Sequence, residues 1–134
     1  GRYSSQIKDI QKSFGSKVNI TTNAVDGAGL LSVSDVFIGM GGTMTAESSL
    51  LGVPSISAFQ GAQLYTENFL IKEGLLVRPE NIGQIINMVS KLLHNQDHKK
   101  KLQKKAKTIL ENMEDPVSIM IKTLENFALE NRIL

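Results

Sequence analysis

The sequence predicts an α/β domain built on a doubly wound parallel sheet, followed by an all-helical C-terminal tail. Short apolar segments alternate with helical segments as far as Arg78, which is typical of βαβ units. The apolar run 36–38 lacks the alternation of a half-exposed strand and indicates a parallel strand covered on both faces. Helical periodicity alone follows Pro79. With 134 residues and 41% hydrophobic content, the chain predicts one domain over residues 1–134.

The elements of the first part of the chain are predicted from local patterns. Apolar residues recur at helical spacing before Gly15, so a helix is predicted over residues 3–14. Asp26 is predicted to be the N-cap of a short helix over residues 27–33. The predicted strands are 17–21, 35–40, 54–58 and 75–78, and a helix over 64–73, closed by Gly74, precedes the last of them.

The tail predicts helices that pack on the sheet. Asp97 is predicted to cap the second of them, and Asp115 begins the third with Pro116 at its first helical position. The residues predicted to face inward are Ile82, Ile85, Ile86, Val89, Leu92 and Leu93 in the first helix, Leu102, Ile109, Leu110 and Met113 in the second, and Val117, Met120, Ile121, Leu124 and Phe127 in the third.

Composition and charge exclude several classes of function. The absence of cysteine excludes disulfides and thiolate chemistry and suits a cytoplasmic location. The formal net charge of +2 gives no support to a nucleic-acid partner, and the lysine-rich segment 99–107 predicts a solvated helix face. His94 and His98 are predicted to be surface residues, so neither a metal site nor a cofactor is expected. No apolar run reaches the roughly 18 to 20 residues of a membrane span.

The segment 39–54, GMGGTMTAESSLLGVP, carries the chemistry in this sequence. It follows a predicted strand, and open parallel sheets bind ligands beyond the carboxyl ends of their strands. Gly41 and Gly42 would let backbone N–H groups approach an anion, and Thr43 is predicted to cap a helix whose N-terminus suits a diphosphate. Glu47 lies one turn further along and suits the two vicinal hydroxyls of a ribose. A simple tight turn beside a solvated Glu47 is the alternative that these residues alone leave open.

This segment resembles the C-terminal half of GT-B glycosyltransferases. In that superfamily a loop of small residues leads into a helix with an inward glutamate, and a GxP turn then enters the next strand, as Gly52 to Pro54 does here. Two members of this superfamily that the segment resembles are the bacterial UDP-N-acetylglucosamine transferase of peptidoglycan synthesis and the non-hydrolysing UDP-N-acetylglucosamine 2-epimerase. The resemblance implies a Rossmann-like fold.

Three segments together carry a more specific resemblance: Arg2, Tyr3 and Gln6 (RYxxQ), residues 25–31 (VDGxxLL) and residues 41–52 (GGTMxxExxLLG). They resemble a mostly archaeal, GT-B-like family, domain of unknown function 354, over about residues 2–78. The sequence departs from this family at Thr45 and Ala46, where asparagine and arginine are expected, and so lacks a charge that the family would place there.

The resemblance implies that the chain binds a nucleotide sugar, a UDP-sugar above all. Gln60 and Gln63 as plain surface residues remain an alternative, and Tyr65 and Glu67 are expected near the cleft without a role. The implied binding residues are Gly41, Gly42, Thr43 and Met44 for the diphosphate, Glu47 for the ribose, Ala24, Val25 and Gly27 for the base, and Gln60 and Gln63 for the sugar.

The resemblance also implies an incomplete GT-B C-terminal domain that lacks its first two strands. These would lie between the strands predicted at 17–21 and 35–40. The chain is therefore expected to be a fragment of a larger protein, and to bind its ligand without turnover, because the N-terminal half completes a GT-B active site. An unpaired strand at 35–40 would be prone to association, so a homo-oligomer contact or a rearranged sheet is expected.

Two classes of function remain open. The first is part of an enzyme, the donor-binding half of a glycosyltransferase or a UDP-sugar epimerase, indicated by the Gly41 to Glu47 arrangement. The second is a non-catalytic GT-B-like binding or structural module. Ala46 in place of arginine and the lack of an acid/base pair favour it, since Asp26 and Asp35 are more simply a helix cap and the start of a strand.

Overall fold

The computed structural model describes residues 4–130 of the chain. The expected family residues Arg2 and Tyr3 lie outside the described residues. The elements are α1 (Ser4–Phe14), a 3₁₀ turn (Gly15–Lys17), α2 (Gly27–Val33), β1 (Phe37–Gly39), α3 (Thr43–Leu50), β2 (Ser55–Ser57), α4 (Tyr65–Lys72), β3 (Leu76–Val77), α5 (Ile82–Leu93), α6 (Gln96–Glu111) and α7 (Pro116–Glu130).

The described part of the chain contains one small parallel sheet with the strand order β1-β2-β3. Phe37 pairs with Ser55, and Ile56 pairs with both Ile38 and Val77. This arrangement confirms the predicted mixed α/β class and parallel pairing, although each strand is shorter than predicted. Among the described strands, β1 and β3 are the edges of this sheet.

The prediction of a strand at residues 17–21 is wrong. Lys17 ends the 3₁₀ turn, and residues 18–26 form neither helix nor strand. The β-branched residues of this segment favour an extended chain, but a strand exists only when a neighbour satisfies its backbone groups. Within residues 4–130 the sheet stops at β1, so this segment has no strand to pair with.

The core is formed where α6 covers α4, β3 and the inner side of α3. Its buried side chains are Leu70, Leu75, Leu76, Leu102 and Ala106, with Ala46 and Leu50 of α3 packed against them. The predicted packing of the second tail helix is confirmed for Leu102, which is buried, and for Ile109, which packs against this cluster. It is wrong for Leu110 and Met113, which are exposed at and just beyond the end of α6, where the chain leaves the core.

The predicted packing of α7 on the sheet is wrong. Its predicted inward residues are all exposed, and Leu124 is 65% exposed. The predicted packing of α5, the first tail helix, is met in part, since Ile85 is half-buried while Ile82 and Ile86 are exposed. The physical reason is that α6 already occupies the apolar surface of α4 and β3 that a further tail helix would cover. The exposed residues concerned in α7 are Val117, Met120, Ile121, Leu124 and Phe127.

A layer of small polar side chains joins α3 to β2. Ser48 and Ser55 are buried, and the Ser55 hydroxyl donates to the Ser48 hydroxyl at 2.8 Å. The Ser48 and Ser49 hydroxyls both donate to the Thr45 carbonyl, at 3.0 and 2.8 Å. Small side chains let a helix lie close to a strand, and these hydrogen bonds satisfy the hydroxyls that become buried there. α3 is therefore held firmly against the sheet.

The helix caps follow local chemistry, with two corrections. Asp26 is the N-cap of α2 as predicted, because its Oδ1 accepts from the Gly29 amide at 3.1 Å. The predicted cap Asp97 instead lies in the first turn of α6, where Asn95 is the N-cap and accepts from the His98 amide at 3.1 Å. Thr43 is the first residue of α3 and its N-cap is Gly42, which has no side chain for capping.

Asp115 caps α7 as predicted, and its carboxylate makes the helix start sensitive to acid. The Ser118 hydroxyl donates to Oδ2 at 2.6 Å, and the Ser118 and Val117 amides also donate to this carboxylate. The Ser118 hydroxyl, followed by these amides, lowers the pKa of Asp115 below its ordinary value of 3.8. A lowered folded-state pKa gives stability that is present above 3.8 and lost as the pH falls through the folded-state value.

We therefore expect helical circular dichroism to fall as the wild type is titrated from neutral pH to about pH 2. In Asp115→Asn the cap remains but no longer titrates, so this loss is expected to shrink. Asp115→Ala is expected to have less helix than wild type already at neutral pH. Glu114→Ala is the matched control because Glu114 is the neighbouring exposed acid. Equal acid sensitivity of wild type and Asp115→Asn would show that this cap does not stabilise α7.

Candidate ligand-binding site at the carboxyl ends of the strands

The carboxyl ends of the three described strands lie at one edge of the sheet because the strands are parallel. Three loops leave this edge: loop A (residues 40–42), loop B (residues 58–64) and loop C (residues 78–81). Loop B begins beside the end of β1, since the Ala58 amide donates to the Gly39 carbonyl at 2.7 Å. This edge is where open parallel sheets present ligand sites.

Loop A has the backbone geometry that its glycines predicted. Gly41 and Gly42 have φ values of 78° and 82°, a region that favours glycine. The Ala46 amide donates to the Gly42 carbonyl at 3.2 Å, so the amides of Thr43, Met44 and Thr45 precede the first hydrogen bond of α3. Gly42, Thr43 and Met44 are exposed, and the start of α3 therefore faces solvent at the sheet edge.

Glu47 lies on the outer face of α3, one turn beyond loop A. Its neighbours Thr45, Ser48 and Ser49 are buried against the sheet, whereas Glu47 is exposed. The carboxylate is therefore directed away from the core. In this position it is accessible to a ligand that approaches the first turn of α3.

The other predicted site residues occupy two different places. Gln60 bridges loops B and C, because its Nε2 donates to the carbonyls of Ala58 and Pro79, each at 3.4 Å. Gln63 lines a surface hollow together with Gln60 and Arg78. The structure thus brings both glutamines to the sheet edge. The remaining three, Ala24, Val25 and Gly27, lie before and at the start of α2, which packs against α3.

A buried charge cluster beneath loop A was not assigned from the sequence. Glu67 of α4 is 3% exposed, and its Oε1 accepts from the Ser57 hydroxyl at 2.6 Å. Arg78 places Nη1 3.6 Å from Oε2 of Glu67 and donates from Nη2 to the Gly61 carbonyl at 2.5 Å. Its guanidinium also lies over the Phe59 ring, 5.8 Å from the ring centroid. The cluster therefore joins strands β2 and β3 to α4 and loop B.

This cluster also lies directly beneath loop A. A Cβ built on Gly41 would lie 3.5 Å from Glu67 Oε1 and 3.5 Å from Phe59 Cβ. The second carboxylate oxygen of Glu67, Oε2, is buried without a hydrogen bond in the described structure. Its charge is balanced only by the longer ion pair with Arg78.

Two signals in the sequence point to this cluster. Glu67 stands three residues before the core residue Leu70, which puts the acid on the inward face of α4. Arg78 follows β3 directly and therefore lies at the carboxyl edge. Tyr65, two residues earlier on the same helix, is 88% exposed and lines a hollow with Ala46 and Phe69.

Other kinds of site find no support in residues 4–130. The described residues contain no group of three or more His, Cys, Asp or Glu side chains arranged to hold a metal ion. No helix within the described range is long and apolar enough to cross a membrane. His94 and His98 lie away from loops A, B and C, at the end of α5 and in the first turn of α6.

The fold and this edge define an α/β domain with an open ligand edge on a small parallel sheet. The chain matches the family "Protein of unknown function (DUF354)" over residues 2–129, and it belongs to that family. The match confirms the family resemblance and extends beyond residue 78 into the helical tail.

A curated relative and the solved structures complete the comparison. The chain is similar to the uncharacterized protein MJ0665 of Methanocaldococcus jannaschii, with 31% identity over 119 residues. The aligned region covers 87% of this chain and 32% of that relative, so the chain spans about a third of the relative's length. No solved structure matches the chain.

Proposed function

We propose that this domain binds the diphosphate and ribose of a nucleotide sugar, a UDP-sugar above all. In this proposal it is the donor-binding half of a GT-B-type glycosyltransferase or UDP-sugar epimerase. The observation that carries the proposal is loop A, where two glycines with positive φ lead directly into an exposed helix N-terminus at the carboxyl edge of the sheet.

The chemistry of loop A suits a diphosphate. The free amides at the start of α3 and the positive end of the helix dipole both attract an anion. Because Gly42 carries no Cβ and has open space beside it, phosphate oxygens can approach the backbone closely. Glu47 lies one turn further along the same helix and is exposed, so its carboxylate can accept hydrogen bonds from ribose hydroxyls next to the phosphates.

The absence of the arginine that the family resemblance predicts at position 46 does not weaken loop A. Ala46 is half-buried and packs against the core cluster formed by α4, β3 and α6. It also lines a hollow with Tyr65 and Phe69 of α4 and Met113. Position 46 therefore points toward α4, and loop A presents its amides without help from that side chain.

The remainder of a longer protein would supply the acceptor side in this proposal. The chain spans 32% of the relative MJ0665, and a GT-B active site lies between two domains. We propose that the domain described here holds the donor while a second domain brings the acceptor and the catalytic groups. Binding, and not turnover, is the property to test in this chain.

Isothermal titration calorimetry with UDP and UDP-N-acetylglucosamine tests the proposal. The wild type is expected to bind both nucleotides, and Glu47→Ala is expected to bind each about tenfold more weakly. A tenfold change corresponds to about 1.4 kcal/mol, the scale of a lost hydrogen bond to a charged group. Glu111→Ala is the matched control, because Glu111 is an exposed glutamate on α6, away from loop A.

Two results would count against the proposal. If the folded wild type shows neither heat nor amide chemical-shift changes with any nucleotide, the domain is not a donor site. If the nucleotides bind but Glu47→Ala and Glu111→Ala both match wild type, the ribose is not held by Glu47.

A further inference from the structure

Arg78 is the cation of the three loops at the carboxyl edge. Loop A reads MGG, loop B reads AFQGAQL and loop C reads RPEN, so these three loops contain one Lys or Arg residue, which is Arg78. Its position directly after β3 keeps it at the edge where ligands of open parallel sheets bind. Loops A, B and C therefore offer a bound anion no cationic side chain other than that of Arg78.

Contacts on three sides hold the Arg78 guanidinium in place before any ligand arrives. Glu67 lies on one side at 3.6 Å, the Gly61 carbonyl accepts a hydrogen bond on another, and the Phe59 ring packs against the planar group. Glu67 is buried and bonded to Ser57, so this support is itself fixed. A guanidinium held in this way loses little conformational freedom when it binds a further group.

The Arg78 guanidinium also has donors to spare. A guanidinium carries five N–H groups, and the described structure gives Arg78 one hydrogen bond, from Nη2 to Gly61. The 3.6 Å approach to Glu67 is an ion pair that is longer than a hydrogen bond. Arg78 is 18% exposed and lines the surface hollow formed by Gln60, Gln63 and Glu80.

We infer that Arg78 binds an oxyanion of the ligand at this hollow. The planar fork of its N–H groups matches two oxygens of a phosphate or a carboxylate. Gln60 and Gln63 add amide groups for neighbouring hydroxyls, while Glu80 opposes an anion on its own side of the hollow. The inference rests on the proposed function for the nature of the ligand, but the oxyanion site itself rests on the Arg78 geometry.

Two parts of a nucleotide sugar carry such an oxyanion: the diphosphate, or an acidic group on the sugar. Titrations of UDP, UDP-N-acetylglucosamine and UDP-glucuronate distinguish them. If Arg78 binds the diphosphate, Arg78→Gln is expected to weaken all three ligands at least tenfold. If Arg78 binds an acidic sugar, wild type is expected to prefer UDP-glucuronate, and the variant loses only that preference. Equal affinities of Arg78→Gln and wild type for all three ligands would overturn the inference.

Inorganic pyrophosphate tests the oxyanion site without a nucleotide. Its addition to wild type is expected to shift the Arg78 Nε–H signal in NMR spectra, and Arg78→Gln is expected to bind it more weakly. If nucleotides fail but pyrophosphate shifts Arg78, the proposed function falls and the oxyanion site stands. If wild type binds nucleotides while pyrophosphate and Arg78→Gln are both without effect, the oxyanion site falls and the proposed function stands. If neither kind of ligand has an effect, both fall.

Variants must separate lost binding from lost folding. Arg78→Gln leaves Glu67 buried without its counter-ion, so the double variant Glu67→Gln/Arg78→Gln removes both charges together and is expected to fold better. The double variant is expected to show the same weakened binding as the single variant. Lys104→Gln removes an exposed cation on α6 and serves as the matched control for net charge. An equal loss of affinity in Lys104→Gln would assign the effect to overall charge and overturn the inference.

Discussion

Replacing Gly52 with alanine is expected to lower the free energy of unfolding by about 3 kcal/mol. Gly52 has a φ of 70° and closes the C-terminus of α3, where the Gly52 amide donates to Ser49 and the Val53 amide donates to Ser48. This pair of hydrogen bonds requires a left-handed residue at position 52. An added Cβ would also overlap the backbone of Gln103 in α6, including its amide nitrogen at 2.6 Å.

Gly74→Ala is the matched control for Gly52→Ala. Gly74 closes α4 with the same hydrogen-bond pattern and a φ of 63°, but an added Cβ would meet only the Lys105 Nζ at 3.3 Å. Since a lysine terminus can move aside, Gly74→Ala is expected to cost only the strained φ, about 1 kcal/mol. Urea unfolding followed by circular dichroism measures both. Equal losses of unfolding free energy in the two variants would show that the contact with Gln103 adds nothing to the cost of a Cβ at position 52.

Replacing Glu67 with alanine is expected to lower the free energy of unfolding by about 2 to 3 kcal/mol. The change leaves the buried Ser57 hydroxyl without its acceptor and Arg78 without its counter-ion. Because Arg78 is partly exposed, water compensates some of its loss, so the effect stays at the lower end for a broken buried pair. Glu67→Gln keeps an acceptor for Ser57 and is expected to cost about 1 kcal/mol.

Glu111→Ala supplies the comparison for an exposed ion pair. Glu111 pairs with Lys107 at 3.8 Å, and both side chains are mostly exposed. Such pairs contribute about 0.2 to 0.5 kcal/mol, so this variant is expected to stay close to wild type in urea unfolding. If Glu67→Ala were as mild as Glu111→Ala, the cluster under loop A would not contribute to the stability of the edge.

Local chemistry made much of the fold predictable from the sequence. Asp26 and Asp115 cap helices because a short carboxylate can reach the free amides two and three residues ahead. Gly74 ends α4 because the left-handed turn there needs no Cβ. The parallel strand β1 follows from the continuous apolar run 36–38. Each of these features depends on residues close in sequence.

Features that depend on distant parts of the chain were missed. The segment 17–21 has strand-like residues but no neighbouring strand, and α7 has an apolar face although α6 has taken the surface it would cover. Glu67 and Arg78 stand on separate elements, so neither residue alone indicates an ion pair. Glycine spacing predicted the backbone of loop A, whereas the charges beneath it required the packing of α4 against β2 and β3.

The contact between Gly52 and α6 also has a consequence for the order in which the chain folds. The end of α3, at Gly52, lies against the backbone of Gln103 in α6. The packing of α3 is therefore complete only when α6, about 50 residues later in the chain, is in place. During synthesis, α1 and α2 emerge before α6, and both are too short to be stable helices without packing. The core around Leu70 must wait until Leu102 and Ala106 have emerged, and until then its apolar surface stays open to solvent and to chaperones.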